Sequence, residues 1–147
     1  MRSINDKVKS VVAIGAAALD ADNTPAAIDL RGFDAATVQI AVGVGGITFS
    51  TTNKVEFKLT HSDNGTDYTA VADADVDLAE SNITTVGSGG IVYSLIDKHD
   101  AATVVNIGYI GGKRYLKLLA DFDGTHGKAT PIAANVIKAL PHDAPTN

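Results

Sequence analysis

The chain has 147 residues, a formal net charge of −5 at pH 7 and no cysteine. A chain of this length is expected to form one domain with its own hydrophobic core. Its 12 basic residues are scattered among 17 acidic ones, which disfavours a nucleic-acid partner because such binding needs clustered Lys and Arg. The absence of cysteine excludes disulfides and thiol nucleophiles.

The first apolar segment, Val11–Leu19, follows a basic N-terminal region, as in a signal peptide. Asp6 interrupts that region, and the apolar run is about half the length of a membrane-spanning helix. We therefore predict a first β-strand over residues 10–16, preceded by an N-terminal arm of residues 1–9.

Two further strands are predicted before residue 45. A short one covers Ala27–Arg31 and ends at a glycine. A longer one covers Ala36–Val44, where alternate residues are aliphatic, so that one face is apolar. The residues of that apolar face are Val38, Ile40, Val42 and Val44.

The clearest local signal is a β-hairpin between Lys54 and Ala72. In its first arm Val55, Phe57 and Leu59 alternate with polar residues, which is typical of a strand with one wet face. Asn64-Gly65 tolerates positive φ and marks the turn.

The sequence after this hairpin predicts further strands. We predict strands over 91–96, 104–110, 113–120 and 131–140, with Gly111-Gly112 forming a second hairpin turn. A polar tail is expected over residues 141–147. The sequence therefore predicts an all-β protein formed by residues 1–147, a single antiparallel β-sandwich that is jelly-roll-like.

No catalytic or metal site is predicted. Asp73, Asp75 and Asp77 have the spacing of a calcium loop, but Leu78 and Thr84 stand where the loop requires Gly and Glu. The four histidines have no ligand spacing, and no Gly-x-Ser-x-Gly element is present. We expect neither enzyme activity, nor a cofactor, nor a bound metal.

The loop 45–53 carries Ile47 and Phe49 among glycines and threonines. Exposed apolar residues rimmed by polar ones commonly mark a protein interface, so we predict that these two side chains contact a partner. The alternative is that both fold back and cap the open end of the sandwich.

Three further segments are predicted to contribute to a partner interface. Lys113 and Arg114 lie next to Tyr115 and offer a basic–aromatic contact, although alternating residues of a strand whose polar side chains face water are the simpler explanation. The two termini supply the other contacts, through Arg2 and Ile4 at one end and Pro141 and His142 at the other.

Two segments and a short motif carry a resemblance to a known group of proteins. The block Leu59-Thr-His-Ser-Asp-Asn-Gly-Thr-Asp-Tyr-Thr-Ala-Val71, followed by Tyr109-Ile-Gly-Gly-Lys-Arg-Tyr-Leu-Lys-Leu-Leu119 and by Gly124-Thr-His126, resembles small tailed-bacteriophage virion proteins. These are head decoration proteins and β-sandwich proteins of the head–tail region. The same segments are more faintly similar to galactose-binding-like jelly rolls, with Tyr68 in place of a tryptophan.

The resemblance implies a structural virion protein. It would bind the major capsid protein on the exterior of the phage head after synthesis in the bacterial cytoplasm, and decorate and stabilise the capsid. It would also self-associate, with a trimer favoured because decoration proteins often occupy threefold positions. The alternatives are a carbohydrate-binding module and a head–tail connector or tail component. Neither nucleic acid nor membrane is an expected partner.

Overall fold

A computed structural model describes residues 1–142 of the chain. It contains ten β-strands in two antiparallel five-stranded sheets. The strands are β1 (Val8–Leu19), β2 (Ile28–Asp29), β3 (Phe33–Val42), β4 (Lys54–Ser62), β5 (Thr69–Ala70), β6 (Val76–Asp77), β7 (Ile91–Leu95), β8 (Thr103–Tyr109), β9 (Tyr115–Asp123) and β10 (Thr130–Pro141). Sheet A has the order β1-β10-β3-β8-β6, and sheet B has the order β2-β9-β4-β5, with β7 on the same side of β4 as β5.

The pairing of the strands is nested. The first strand pairs with the last, β1 with β10, and inside that pair lie β2 with β9, β3 with β8 and β4 with β7. Apart from β4 and β5, which share sheet B, successive strands along the chain alternate between the two sheets, which is the topology of a jelly roll. The predicted fold class, an all-β antiparallel sandwich, is confirmed.

The core lies between the two sheets and is formed by alternate residues of the central strands. On β4, Val55, Phe57 and Leu59 are completely buried, as their period-2 pattern predicts. Sheet A opposes them with aliphatic side chains such as Ile40 and Ile107. Val44 is an exception to the predicted apolar face, because it is 61% exposed and follows the end of β3.

The predicted turn at Asn64-Gly65 is confirmed, with Gly65 at a φ of 74°. The returning arm is only the two-residue β5, because β7 occupies the same side of β4 along most of its length.

The predicted hairpin at Gly111-Gly112 is wrong. These residues do turn the chain, and Gly112 has a φ of 71°. The strands on either side do not pair, however, because β8 belongs to sheet A and β9 to sheet B. The segment is an arch that carries the chain from one sheet to the other.

Helical structure within residues 1–142 is limited to a 3₁₀ turn at Asp73–Asp75. The described part of the chain therefore has no helix of the length and apolarity that a membrane span requires.

Candidate interaction surfaces

The outer face of sheet A is uncharged over four neighbouring strands. The strand register places the outward residues of β1, β10, β3 and β8 side by side. They are small, aliphatic or neutral polar, and none carries a charge. The register places on this face Val8, Ser10, Val12 and Ala18 of β1, Pro131, Ala133, Asn135, Ile137 and Ala139 of β10, Ala35, Thr37, Gln39 and Ala41 of β3, and Val104, Asn106 and Gly108 of β8. We call this surface the neutral face.

The neutral face includes exposed apolar side chains. Val12 on β1 is 60% exposed and Val104 on β8 is 58% exposed. The polar residues between them bond to one another, since Gln39 Nε2 donates to Asn106 Oδ1 over 3.2 Å. Charge begins at the rim, where Asp77 of β6 lies opposite Gly108 and Glu80 accepts two hydrogen bonds from Asn106.

The outer face of sheet B is charged. Lys54 Nζ lies 2.7 Å from Glu56 Oε1, and Lys58 pairs with Asp121. Lys117 Nζ lies 4.3 Å from the centre of the Tyr68 ring. This charged face is the polar side that the alternation of β4 predicts.

One end of the sandwich is closed by the loop 45–53. Phe49 is only 3% exposed, and its ring packs near the rings of His99 and His126 at 6.5 Å and 6.4 Å. The prediction that Phe49 stands exposed is therefore wrong, and the alternative that it caps the sandwich is confirmed. Ile47 is half-buried and packs against the core, because the same loop folds inward.

Four of the predicted interface residues lie at the opposite end of the sandwich. Lys113, Arg114 and His142 line a cavity of about 430 Å³. Pro141 and His142 line a neighbouring cavity of about 780 Å³. Pro141 still belongs to β10, opposite Phe33, so the strand extends one residue beyond the predicted boundary. Residues 143–147 of the predicted tail lie outside the described residues.

Arg114 is held by a bidentate ion pair with Asp29. Its Nε and Nη2 atoms donate to the two carboxylate oxygens of Asp29 over 2.9 Å and 2.8 Å. The hydrogen bond from Arg114 is the main cause that lowers the pKa of Asp29 to about 2. The pair fastens the short strand β2 to the start of β9.

A buried hydrogen-bond network fixes the arch between the sheets. The Tyr109 hydroxyl lies 3.0 Å from His61 Nδ1 and accepts a 2.9 Å hydrogen bond from the backbone N–H of Lys113. Burial lowers the pKa of His61 and raises that of Tyr109. Asp75 lies 3.9 Å from the other side of the imidazole. Both rings are buried, so the network holds the backbone and presents no reactive atom to solvent.

The acidic stretch of residues 73–77 has local structural roles. Asp73 accepts a hydrogen bond from the Val86 N–H, Asp75 from the Ala72 N–H, and Asp77 from the Ala79 N–H. No group of three potential metal-ligating side chains occurs among residues 1–142.

Arg2 and Ile4 lie in the N-terminal arm, outside both sheets. Ile4 is 64% exposed, and β1 begins at Val8 instead of residue 10. The arm is therefore available for contacts, whereas nothing in the described residues joins it to Ile47 at the other end of the sandwich.

The tyrosines do not form an exposed stacking platform. Tyr93 and Tyr109 are 6% exposed. Tyr68 lies under Lys117, and Tyr115 lies under Arg114 at 4.8 Å. Sugar-binding modules stack exposed aromatic rings on the ligand, so no observation here favours the carbohydrate-binding alternative.

Comparison with known proteins gives no family to which the chain can be assigned. No family model, curated protein or solved structure matches it.

Sequence reasoning missed the neutral face. Its signal was present in β3, where Thr37, Gln39 and Ala41 alternate with the buried aliphatic residues. The extent of the face depends on the register of β1, β10 and β8, which a single strand pattern does not contain.

Proposed function

We propose that the protein is a structural component of a protein assembly and docks through the neutral face. In its finer form, which rests on the resemblance of residues 59–71 and 109–119, the partner is the major capsid protein of a tailed bacteriophage. The protein would then decorate and stabilise the exterior of the capsid.

The observation that carries the proposal is the lack of charge on an exposed sheet face of an otherwise charged protein. Interface cores are depleted of charged residues, because burying an unpaired charge is costly. A solvent-facing sheet of an antiparallel sandwich normally carries polar and charged residues, as sheet B does.

The size of the neutral face favours a partner with many copies. Four strands of this length cover roughly 30 Å by 15 Å, which is less than the ~800 Å² that each partner buries in a standard interface. A single contact of this size is weak. An oligomer of the chain, such as the trimer that the resemblance implies, compensates by presenting several linked copies of the face to the repeated sites of a shell, because linked contacts raise the effective affinity.

A capsid-binding assay tests the proposal. Purified shells of the major capsid protein are incubated with the protein, and co-sedimentation is measured for wild type, Val104→Lys and the matched control Thr60→Lys. Val104 lies on the neutral face and Thr60 on the charged face. We expect Val104→Lys to weaken binding about tenfold or more, corresponding to about 1.4 kcal/mol, and Thr60→Lys to bind as wild type.

Equal binding by the two variants would overturn the docking role of the neutral face. Analytical ultracentrifugation of the free protein covers the other occupant, a second copy of the chain. A trimer or other oligomer that Val104→Lys dissociates would assign the neutral face to self-association instead of capsid binding.

A further inference from the structure

Among residues 1–142, the larger cavity at the end of the sandwich opposite the loop 45–53 is lined by Lys9 and Arg31 and by no carboxylate. Its volume is about 780 Å³, and its apolar lining includes Val8, Phe33 and Pro141. In a chain with a net charge of −5, a cavity of this composition is unexpected.

The nearby carboxylates are already occupied. Asp29 pairs with Arg114, and Asp34 Oδ1 lies 2.6 Å from His142 Nε2. Among residues 1–142, no carboxylate lies within ion-pair distance of Arg31 or Lys9. Both side chains are exposed, so their charges face the cavity mouth without a counter-ion from the described chain.

A third cation lies beneath the cavity. Lys138 is buried, and its Nζ donates to the Asp29 carbonyl over 3.0 Å and lies 4.7 Å from the centre of the Phe33 ring. In the antiparallel pair of β1 and β10, Lys9 lies directly opposite Lys138. Like charges in opposite positions destabilise a sheet. Burial and the charge of Lys9 together lower the pKa of Lys138.

We propose that this cavity binds an acidic peptide segment of a partner protein, with Arg31 and Lys9 pairing with its carboxylates. The planar guanidinium of Arg31 suits bidentate pairing with a carboxylate. The apolar walls formed by Val8, Phe33 and Pro141 accommodate the non-polar parts of a peptide. The inference does not rest on the capsid assignment.

The surroundings favour a short acidic peptide over a polyphosphate chain. Asp34 and Asp63 line the adjacent cavity, and the whole chain is acidic. A nucleic acid needs an extended basic track to neutralise successive phosphates, whereas two or three cations suffice for a pair of carboxylates.

The test is a titration of ¹⁵N-labelled protein with N-acetylated, C-amidated tetraglutamate, followed by NMR at low salt. Tetraglutamine with the same caps is the neutral control peptide. We compare wild type with Lys9→Gln/Arg31→Gln and with the matched control Lys98→Gln/Lys128→Gln, which removes the same number of positive charges from the cavity at the opposite end. All four residues are exposed, so both variants should fold.

The expected result is a saturable shift of backbone amides around residues 9 and 31–33 by tetraglutamate and none by tetraglutamine. Affinity should fall about tenfold in Lys9→Gln/Arg31→Gln, equivalent to the loss of about 1.4 kcal/mol, and stay unchanged in the control variant. An equal loss in both variants would indicate general charge attraction and overturn the site.

Two further arms identify the occupant. Inorganic phosphate that displaces tetraglutamate at equal concentration would overturn the assignment to a peptide, whereas failure to displace it supports the assignment. Tighter binding of tetraglutamate by protein lacking residues 143–147 would identify the chain's own terminal carboxylates as the occupant and overturn the assignment to a partner. Unchanged binding by that truncated protein supports a partner.

Discussion

The two sheets bury similar inner faces but present different outer faces. On sheet B, Lys54 pairs with Glu56 along β4, and Lys58 pairs with Asp121 across β4 and β9. On sheet A, the equivalent outward positions of four strands carry no charge, and Val12 and Val104 stand exposed. Because both sheets need only one apolar face to build the sandwich, folding does not explain the lack of charge on sheet A. The difference between the outer faces therefore points to binding.

If the neutral face serves binding, substitutions on it should change the free energy of unfolding much less than substitutions in the core. Phe49→Ala removes a buried ring and should lower the free energy of unfolding by about 3–5 kcal/mol. The matched change Val104→Ala, on the neutral face, should alter it by about 0.5 kcal/mol or less. Urea denaturation monitored by circular dichroism measures both. A large loss in Val104→Ala would make the neutral face part of the folding core and remove the contrast.

The stability of the fold should depend on pH through the bidentate ion pair between Arg114 and Asp29. Arg114 lowers the pKa of Asp29 from 3.8 to about 2, so the pair stabilises the fold above the unfolded pKa and loses that contribution as the pH falls towards the folded one. Arg114→Gln should therefore be less stable than wild type near pH 7, with the gap closing between about pH 4 and pH 2. Denaturation series at several pH values measure the gap, and a gap that stays constant down to acid pH would contradict this role.

A smaller effect on stability is expected from the ion pair between Lys58 and Asp121 on the charged face. The hydrogen bond with Asp121 is the main cause that raises the pKa of Lys58, so its stabilisation is present below the unfolded pKa of 10.5 and is lost as the pH rises through the folded value. Asp121→Asn should cost about 0.5 kcal/mol near neutral pH. The difference from wild type should shrink in about 1 M NaCl. A salt-independent loss would point to packing instead of charge.

Local patterns predicted the strands and the class of fold well. The alternation of Val55, Phe57 and Leu59 and the Asn64-Gly65 turn both reflect short-range physics, namely the period of a strand and the tolerance of positive φ. The burial of Phe49 was harder to predict, because a loop sequence does not reveal whether the loop folds inward over the end of the sandwich.

The remaining features could not be predicted from local patterns, because they depend on pairing between strands that are distant in the sequence. Gly111-Gly112 indicates a turn, but whether the next strand joins the same sheet depends on the nested order of the jelly roll. The neutral face and the cavity lined by Lys9 and Arg31 both depend on this long-range strand register. Lys9 and Lys138 are 129 residues apart in the sequence and lie directly opposite each other in the sheet.

The most direct test of the central claim is the accessibility of the two faces in the assembled state. The chain has no native cysteine, so Gln39→Cys on the neutral face and Thr60→Cys on the charged face each introduce a single reactive thiol. Maleimide labelling is measured for the free protein and for the protein bound to capsid shells. We predict that binding protects position 39 and leaves position 60 reactive. Equal labelling of both positions in the bound state, or protection of position 60 alone, would contradict the claim that sheet A docks through its neutral face.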